Sequence, residues 1–266
     1  MADTPWTYIG VDWDSGAWIA VGYPDQGDPA VAMFDTIEAL WATHGATAER
    51  IVVDVPIGLC ESCEIPAGCV ETNGELSRRC DDLARSVIGP RSSSVFTAPC
   101  REAARAAAAG AAYTDVNQTN KARTGKGLMQ QAANIAAGIV EVEELLLLGA
   151  GDPSTLVEGH PEVSFRAFAD DALQFNKRTA PGMAERLAAL EAATEYEQGT
   201  WRRLATSLGD GGHDAGADDL LDALGLALTA KAPQADLHTL PPEPPTDAEG
   251  LPMQMVYRRP RQFEIH

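Results

Sequence analysis

The chain has 266 residues, 45% hydrophobic and 22% charged, enough to fill a large core, which argues against a disordered chain, a collagen-like repeat or a small disulfide scaffold. Lys and Arg total 20 against 39 Asp and Glu, a net charge of −19, so no global basic field draws a polyanion to the surface and a cationic DNA-coating protein is disfavoured. Lysine occurs only at Lys121, Lys126, Lys177 and Lys231. Acid-rich, lysine-poor, alanine-rich composition is the halophilic pattern: in molar salt the Debye length falls to about 3 Å and screens the self-repulsion of such a surface. An acidic mesophilic protein is the alternative.

The apolar run at residues 145–148 is preceded by Glu141, Glu143 and Glu144, and no window approaches the roughly 20 apolar residues of a bilayer span. The start of the sequence lacks a basic region followed by an apolar stretch, so the expectation is a cytoplasmic protein with no membrane partner. Five cysteines, an odd number in a chain too large to need staples, fit a reducing compartment.

Residues 6–11, 17–23 and 30–34 are short β-rich runs separated by Asp, Gly and Pro turn signals, which predicts an antiparallel meander. A helical pattern at 36–42 with Ile37, Leu40 and Trp41 on one face leads to a continuous apolar run at 50–55, the mark of a buried parallel strand. Residues 59–75 form a Gly/Pro/Cys-containing segment, and Ser77 is placed to cap a helix running through Ile88. Helices are predicted at 101–112 and 127–148, a buried strand at 155–159, and helices near 162–170, 182–193, 196–208 and 217–231. The tail contains a Pro-rich linker at 240–245 and a β-like run at 253–257 placed to dock on a sheet edge. The order is β-β-β-α-β, a large helical insertion between the fourth and fifth strands, then β and a final helix. The fold class expected is α/β with a mixed sheet and a ribonuclease-H-like core: a domain over 1–232 with its insertion at 59–150, then a tail, 233–266, that packs on it.

Asp12 follows Gly10-Val11 at the end of the first strand, and Asp54 holds the same relative place in Val52-Val53-Asp54-Val55-Pro56. An Asp ending an apolar strand is costly unless paired or metal-bound, and two adjacent strands would bring both to the rim where open α/β sheets place ligands. The last helix adds Asp218, Asp219 and Asp222, with Asp219 and Asp222 three apart on one face. Mg²⁺ or Mn²⁺ between Asp12, Asp54, Asp219 and Asp222 would relieve the repulsion, and two such ions about 4 Å apart hydrolyse phosphodiesters without a side-chain nucleophile. The alternatives are a turn contact with Ser15 for Asp12, a cap for Asp54, and a solvated helix N-terminus for the last cluster.

Glu158-Gly159-His160-Pro161-Glu162 stands at a strand-to-helix junction. Glu158 suits a third metal ligand and His160 a general acid/base or phosphate contact, against first-turn capping for Glu162 and a structural hydrogen bond for His160. Arg78, Arg79, Arg85 and Arg91 make a local basic patch, and with the scarce Lys177 they are candidate substrate phosphate contacts; pairing with the surplus acids is the alternative. Cys60, Cys63, Cys69 and Cys80 run as C-x2-C-x5-C-x10-C, a candidate structural Zn²⁺ set whose alternative is reduced, partly buried thiols.

Taken together, Gly10-Val11-Asp12-Trp13, Asp54-Val55-Pro56-Ile57-Gly58-Leu59, Arg79-Cys80-Asp81 with Ala84-Arg85, Glu158-x-His160-Pro161-Glu162, Lys177 with Gly182 and Arg186-Leu187, and Asp219-x-x-Asp222-Ala223 resemble the domain of unknown function 429 family, a set of predicted nucleases with a ribonuclease-H-like fold. The resemblance covers most of residues 6–231, and the closing acidic helix is also similar to that of Holliday-junction resolvases. It implies that Asp12, Asp54, Asp219 and Asp222 hold metal, with Glu158, His160 and Glu162 beside them. Joined to the acidic composition, it points to a halophilic archaeal source. The four-cysteine segment, apart from Cys80, lies outside the family pattern. The function expected is a divalent-metal-dependent nuclease. An ATP-dependent phosphotransferase on the same core and a non-catalytic nucleic-acid-binding module are the alternatives, and a homodimer stays open.

Overall fold

A computed structural model of the chain describes residues 5–14, 16–61, 67–169 and 171–265. Strands β1 (Tyr8–Asp14), β2 (Ala17–Tyr23) and β3 (Ala30–Phe34) form the expected meander. Helix α1 (Ile37–His44) is capped by Thr36, whose side chain accepts from the Ala39 N–H, and β4 (Arg50–Val53) returns parallel to β1. A hairpin of β5 (Cys69–Thr72) and β6 (Glu75–Arg78) follows. The sequence reading passed over it, although its turn, Asn73-Gly74 with both φ positive at 55° and 80°, is the two-residue signal that matches strand twist. Next come α2 (Arg79–Ile88), a 3₁₀ turn at Gly89–Ser94, α3 (Arg101–Ala108), α4 (Tyr113–Thr124), α5 (Gln130–Asn134) and α6 (Ala136–Leu147). Strand β7 (Leu156–Glu158) leads to α7 (Pro161–Phe168), α8 (Ala180–Glu191), α9 (Thr200–Asp210) and α10 (Ala217–Ala230), and β8 (Leu237–Leu240) pairs with β9 (Met255–Arg258) in the tail.

The helix expected over 127–148 begins three residues late. The Leu128 N–H donates to Asn117 Oδ1 at 2.7 Å and the Leu128 carbonyl accepts from Tyr113 Oη at 2.5 Å, which ties this stretch to α4 before helix can start. A second break falls at Ile135, whose φ and ψ of −91° and 0° lie in the bridge region.

The main sheet runs β3-β2-β1-β4-β7, antiparallel through β3-β2-β1 and parallel through β1-β4-β7. Strand alternation sorts its side chains into two cores. Ile9, Val11, Ile51, Val53 and Leu156 pack with Leu40 of α1 and Ile139 and Val142 of α6. On the opposite face α10 lies against β1, where a Cβ on Gly10 would sit 2.1 Å from the Ala223 carbonyl oxygen and from Ala227 N. That contact brings α10 close enough for its carboxylates to reach the strand ends. The tail joins the core: Val256 bridges Gly159 just past β7, and Leu240, Met255, Tyr257 and Phe263 pack with Cys80, Ala84 and Ile88 of α2 and Val163 of α7.

Candidate active site

Register decides which acids meet. Gly10 pairs with Val52 and Val11 with Val53 across β1 and β4, and the Asp54 N–H extends the ladder to the Val11 carbonyl at 2.9 Å. Asp12 and Asp54 therefore lie opposite one another in neighbouring strands, with the parity of Gly10, on the α10 face. Asp222, on the first turns of α10, is buried there. Burial and then the charges of Asp54 and Asp222 hold the Asp12 carboxyl well above the usual range. Burial likewise raises Asp54, against the pull of His160 and Lys177, and pushes Asp222 up to about 7.

Lys177 is the cation in this set. Its ammonium bonds Asp222 Oδ2 and lies 3.7 Å from Asp218 Oδ2; burial works to lower its pKa, but Asp222, Asp12 and Asp54 outweigh burial and hold it above its ordinary value. Asp222 Oδ1 stays buried with no hydrogen-bond partner. Glu162 is built the same way: Oε1 pairs with Arg186, whereas Oε2 is buried without a partner. Arg186 itself is fully buried and also donates to the Phe175 and Gly182 carbonyls at 3.1 and 2.8 Å. His160 caps α7, its Nδ1 accepting from the Glu162 N–H at 3.1 Å, which leaves Nε2 to carry the ring proton. Asp54, His160, Glu162, Lys177 and Asp222 line a cleft of about 380 Å³ between the sheet rim and the insertion. Asp54 and His160 also line a smaller recess of about 80 Å³ that Asp12 shares.

The other expected residues divide. Asp219 stands at the rim, its Oδ2 placed 2.2 Å from where a Gly216 Cβ would be, folded back on the start of its own helix. Glu158 lines the smaller recess with Asp12, Asp54 and His160, but its carboxylate is held by other partners. It pairs with Val53 in register, one residue out of phase with Asp54, and so projects to the opposite face. There Arg78 donates from Nη1 to Oε1 at 2.9 Å and from Nη2 to Oε2, and the Ile57 N–H donates to Oε2 at 2.7 Å. Burial pushes Glu158 up to about 7, with Arg78 opposing. Arg78, buried and also 3.2 Å from Asp81, is committed to this network instead of facing a phosphate. Arg85 bonds Asp82 at 2.7 Å and the Val95 carbonyl at 2.8 Å, Arg79 is exposed away from the cleft, and Arg91 lines the cleft.

The cysteine reading needs correcting. Cys60 and Cys69 are joined in a disulfide, which removes both as thiolate ligands and as reduced thiols, and Cys80 is buried in a different cluster beside Asp81. Cys63 lies outside the described residues. Among the described residues, one group of three places ligand atoms within 4.8 Å of one another: Cys80, Asp81 and Glu158. Arg78 ion-pairs with both carboxylates of that group, and burial holds the Cys80 thiol well above its usual range, so the thiol keeps its proton. The oxygens with unused lone pairs are those of Asp222 and Glu162 in the cleft. An all-oxygen donor set with orphaned buried atoms fits Mg²⁺ or Mn²⁺, with Asp12 and Asp54 beside it. Asp12, Asp54 and Asp222 are less tightly gathered than that group, and the Lys177 ammonium bonds Asp222.

Sequence reasoning passed over Arg186 as the group that orients Glu162. Its signal was a lone arginine at helical spacing with Gly182, Ala189 and Leu190, all buried on one face of α8.

A five-stranded mixed sheet with helices on both faces and acids at the ends of its parallel strands defines a mixed α/β protein, with a cleft lined by both carboxylates and cations. Over residues 10–247 the chain matches the family described as a protein of unknown function, DUF429, and it belongs to that family. No curated protein and no solved structure matches it. Among the described residues no helix is long and apolar enough to cross a membrane.

Proposed function

We propose that this chain is a divalent-metal-dependent phosphodiesterase of ribonuclease-H-like architecture that hydrolyses nucleic acid. The observation that carries the reading is the pair of buried, partnerless carboxylate oxygens, Asp222 Oδ1 and Glu162 Oε2, on two residues that line a cleft with Asp54, Asp222 being close enough to Asp12 to raise its pKa. Buried carboxylates left with free lone pairs are costly in a folded protein and are offset by a bound cation. The sheet order β3-β2-β1-β4-β7, with β2 antiparallel to its neighbours, supports a ribonuclease-H-like core.

Asp12, Asp54 and Asp222 would hold the metal, with Glu162 oriented toward it by Arg186 and Asp219 at the rim. Mg²⁺ or Mn²⁺ there would supply charge to polarise water and the scissile phosphate. His160, its Nδ1 fixed by the Glu162 N–H, presents Nε2–H as a donor to a leaving oxygen. Lys177 holds Asp222 in one rotamer and offsets part of the cluster's charge.

The test combines Mn²⁺ titration calorimetry with cleavage of labelled single-stranded, duplex and junction DNA and RNA. Wild type is expected to bind Mn²⁺ and cut at least one substrate, with Asp12→Asn and Asp222→Asn each lowering cleavage about 100-fold or more and weakening Mn²⁺. A folded wild type that binds neither metal nor substrate, or an Asp12→Asn protein as active as wild type, would sink the reading.

A further inference from the structure

We infer that the cleft takes a single-stranded nucleic acid, with a base stacked on Phe175 at its mouth; the inference rests on the nuclease reading above and names its substrate class. The cleft joins carboxylates to cations and apolar groups. Glu162 and Asp222 are buried and Asp54 half-buried, and the same lining holds Arg91, Lys177 and Arg178 with Phe96 and Met129. Of the large apolar side chains exposed among the described residues, Met129 at 52% lines this cleft and Phe175 at 50% stands next to Asn176 in its wall. One exposed apolar side chain is ordinary; one in the lining of the cleft and a second next in the chain to its wall residues Asn176, Lys177 and Arg178 are a pattern.

Phe175 is held out by construction. Its N–H donates to Glu185 Oε2 at 2.8 Å and its carbonyl accepts from the buried Arg186 at 3.1 Å. The next carbonyl, of Asn176, accepts from Thr179 N at 2.9 Å and Oγ1 at 2.7 Å, and a Cβ on Gly182 would come within 1.9 Å of it. This segment is therefore packed tightly on α8, directing Lys177 inward to Asp222 and leaving the Phe175 ring half in water. A preordered aromatic costs little conformational entropy on binding. Among the described residues Arg91 has no ion-pair partner, and its Nε is buried without a hydrogen-bond partner. In a chain of net charge −19, an uncommitted guanidinium over a carboxylate cluster suits the backbone phosphate of the strand. A duplex keeps its bases stacked on each other and offers no face to Phe175, whereas a single strand gives successive π-faces without regard to sequence.

The experiment measures binding by fluorescence anisotropy, in EDTA and in Ca²⁺, of a short oligonucleotide carrying 2-aminopurine, as single-stranded DNA, single-stranded RNA and duplex, beside free mononucleotide. Single strands of either sugar are expected to bind at least about tenfold more tightly than duplex, with 2-aminopurine quenched on binding. Phe175→Ala should weaken this about tenfold and abolish the quench, Phe175→Trp should preserve both, and Arg91→Ala should lower the slope of log affinity against log salt by about one. Equal affinity for duplex, mononucleotide binding as tight as the oligonucleotide, no oligonucleotide binding, or an unaffected Phe175→Ala protein overturns the inference. Cleavage of duplex without single-strand preference would leave the nuclease reading standing and remove this one. Phe175-dependent stacking with no cleavage in any metal would do the reverse.

Discussion

Glu158 and Asp54 end adjacent parallel strands, yet one residue of phase separates an ion-paired core acid from a cleft acid. Because Val53 pairs with Glu158, the Glu158 carboxylate leaves the sheet on the side where Arg78, Asp81 and the Ile57 N–H meet it. One of the chain's buried arginines is thus committed to fixing the Pro56–Gly58 turn behind the site. Arg78→Met leaves the carboxylate buried and uncompensated, which is expected to cost about 3–5 kcal/mol in urea denaturation. Adding Glu158→Gln restores a neutral acceptor for the Ile57 N–H and should recover much of that loss. A single Arg78→Met variant within about 1 kcal/mol of wild type would show that the pair contributes little.

Among the elements, α10 is the one whose seat on the sheet makes the site, and Gly10 is what lets it sit there. With the Ala223 carbonyl and Ala227 N each 2.1 Å from any added Cβ, neither backbone group can step aside as a flexible side chain would. Gly10→Ala is expected to push α10 off β1, destabilising by about 2–3 kcal/mol and weakening Mn²⁺ binding measured by calorimetry, although no ligand has changed. Unaltered affinity in a folded Gly10→Ala protein would mean that Asp222 does not depend on this contact. The meander, α1, β4 and α10 were legible because each is short, strongly patterned and flanked by turn residues; the Asp12–Asp54 juxtaposition followed from two strands ending alike. Less legible was what depends on register and on distant partners. Nothing local to Glu158 says that it is out of phase with Asp54, and nothing local to Arg78 says that its acid comes from residue 158. The delayed start of α5 arises from contacts of Leu128 with α4. The alanine run at 101–112 ends early at Ala108, with Gly110 at φ 83°.

For the whole molecule, the surplus of acid has two parts with different pH behaviour. Most of the net charge of −19 is a surface property that salt screens. The inner acids differ: Asp12, Asp54, Asp219, Glu158 and Asp222 are all raised by burial, the last two to about 7. A carboxyl with a raised folded pKa binds its proton more tightly folded than unfolded, so stability falls as pH rises from the unfolded value, near 4, through the folded one. Asp218, Asp152 and Glu195 are held low, Asp152 chiefly by hydrogen bonds from Ser154 and the others because Lys177, Arg178 and Arg258 outweigh burial. Their contribution is lost only as pH drops below about 4. At constant ionic strength and without metal, the Tm is expected to peak near about pH 5 and decline toward pH 8. Mn²⁺ competes with protons for the same oxygens, so it should raise the Tm at pH 8 and do little at pH 5, and EDTA should reverse the gain. Asp222→Asn should be more stable than wild type at pH 8 without metal, with a shallower pH slope and a smaller response to Mn²⁺. Thermal scans in which Mn²⁺ stabilises equally at both pH values, or in which Asp222→Asn keeps the full response, would place the cation away from the cleft.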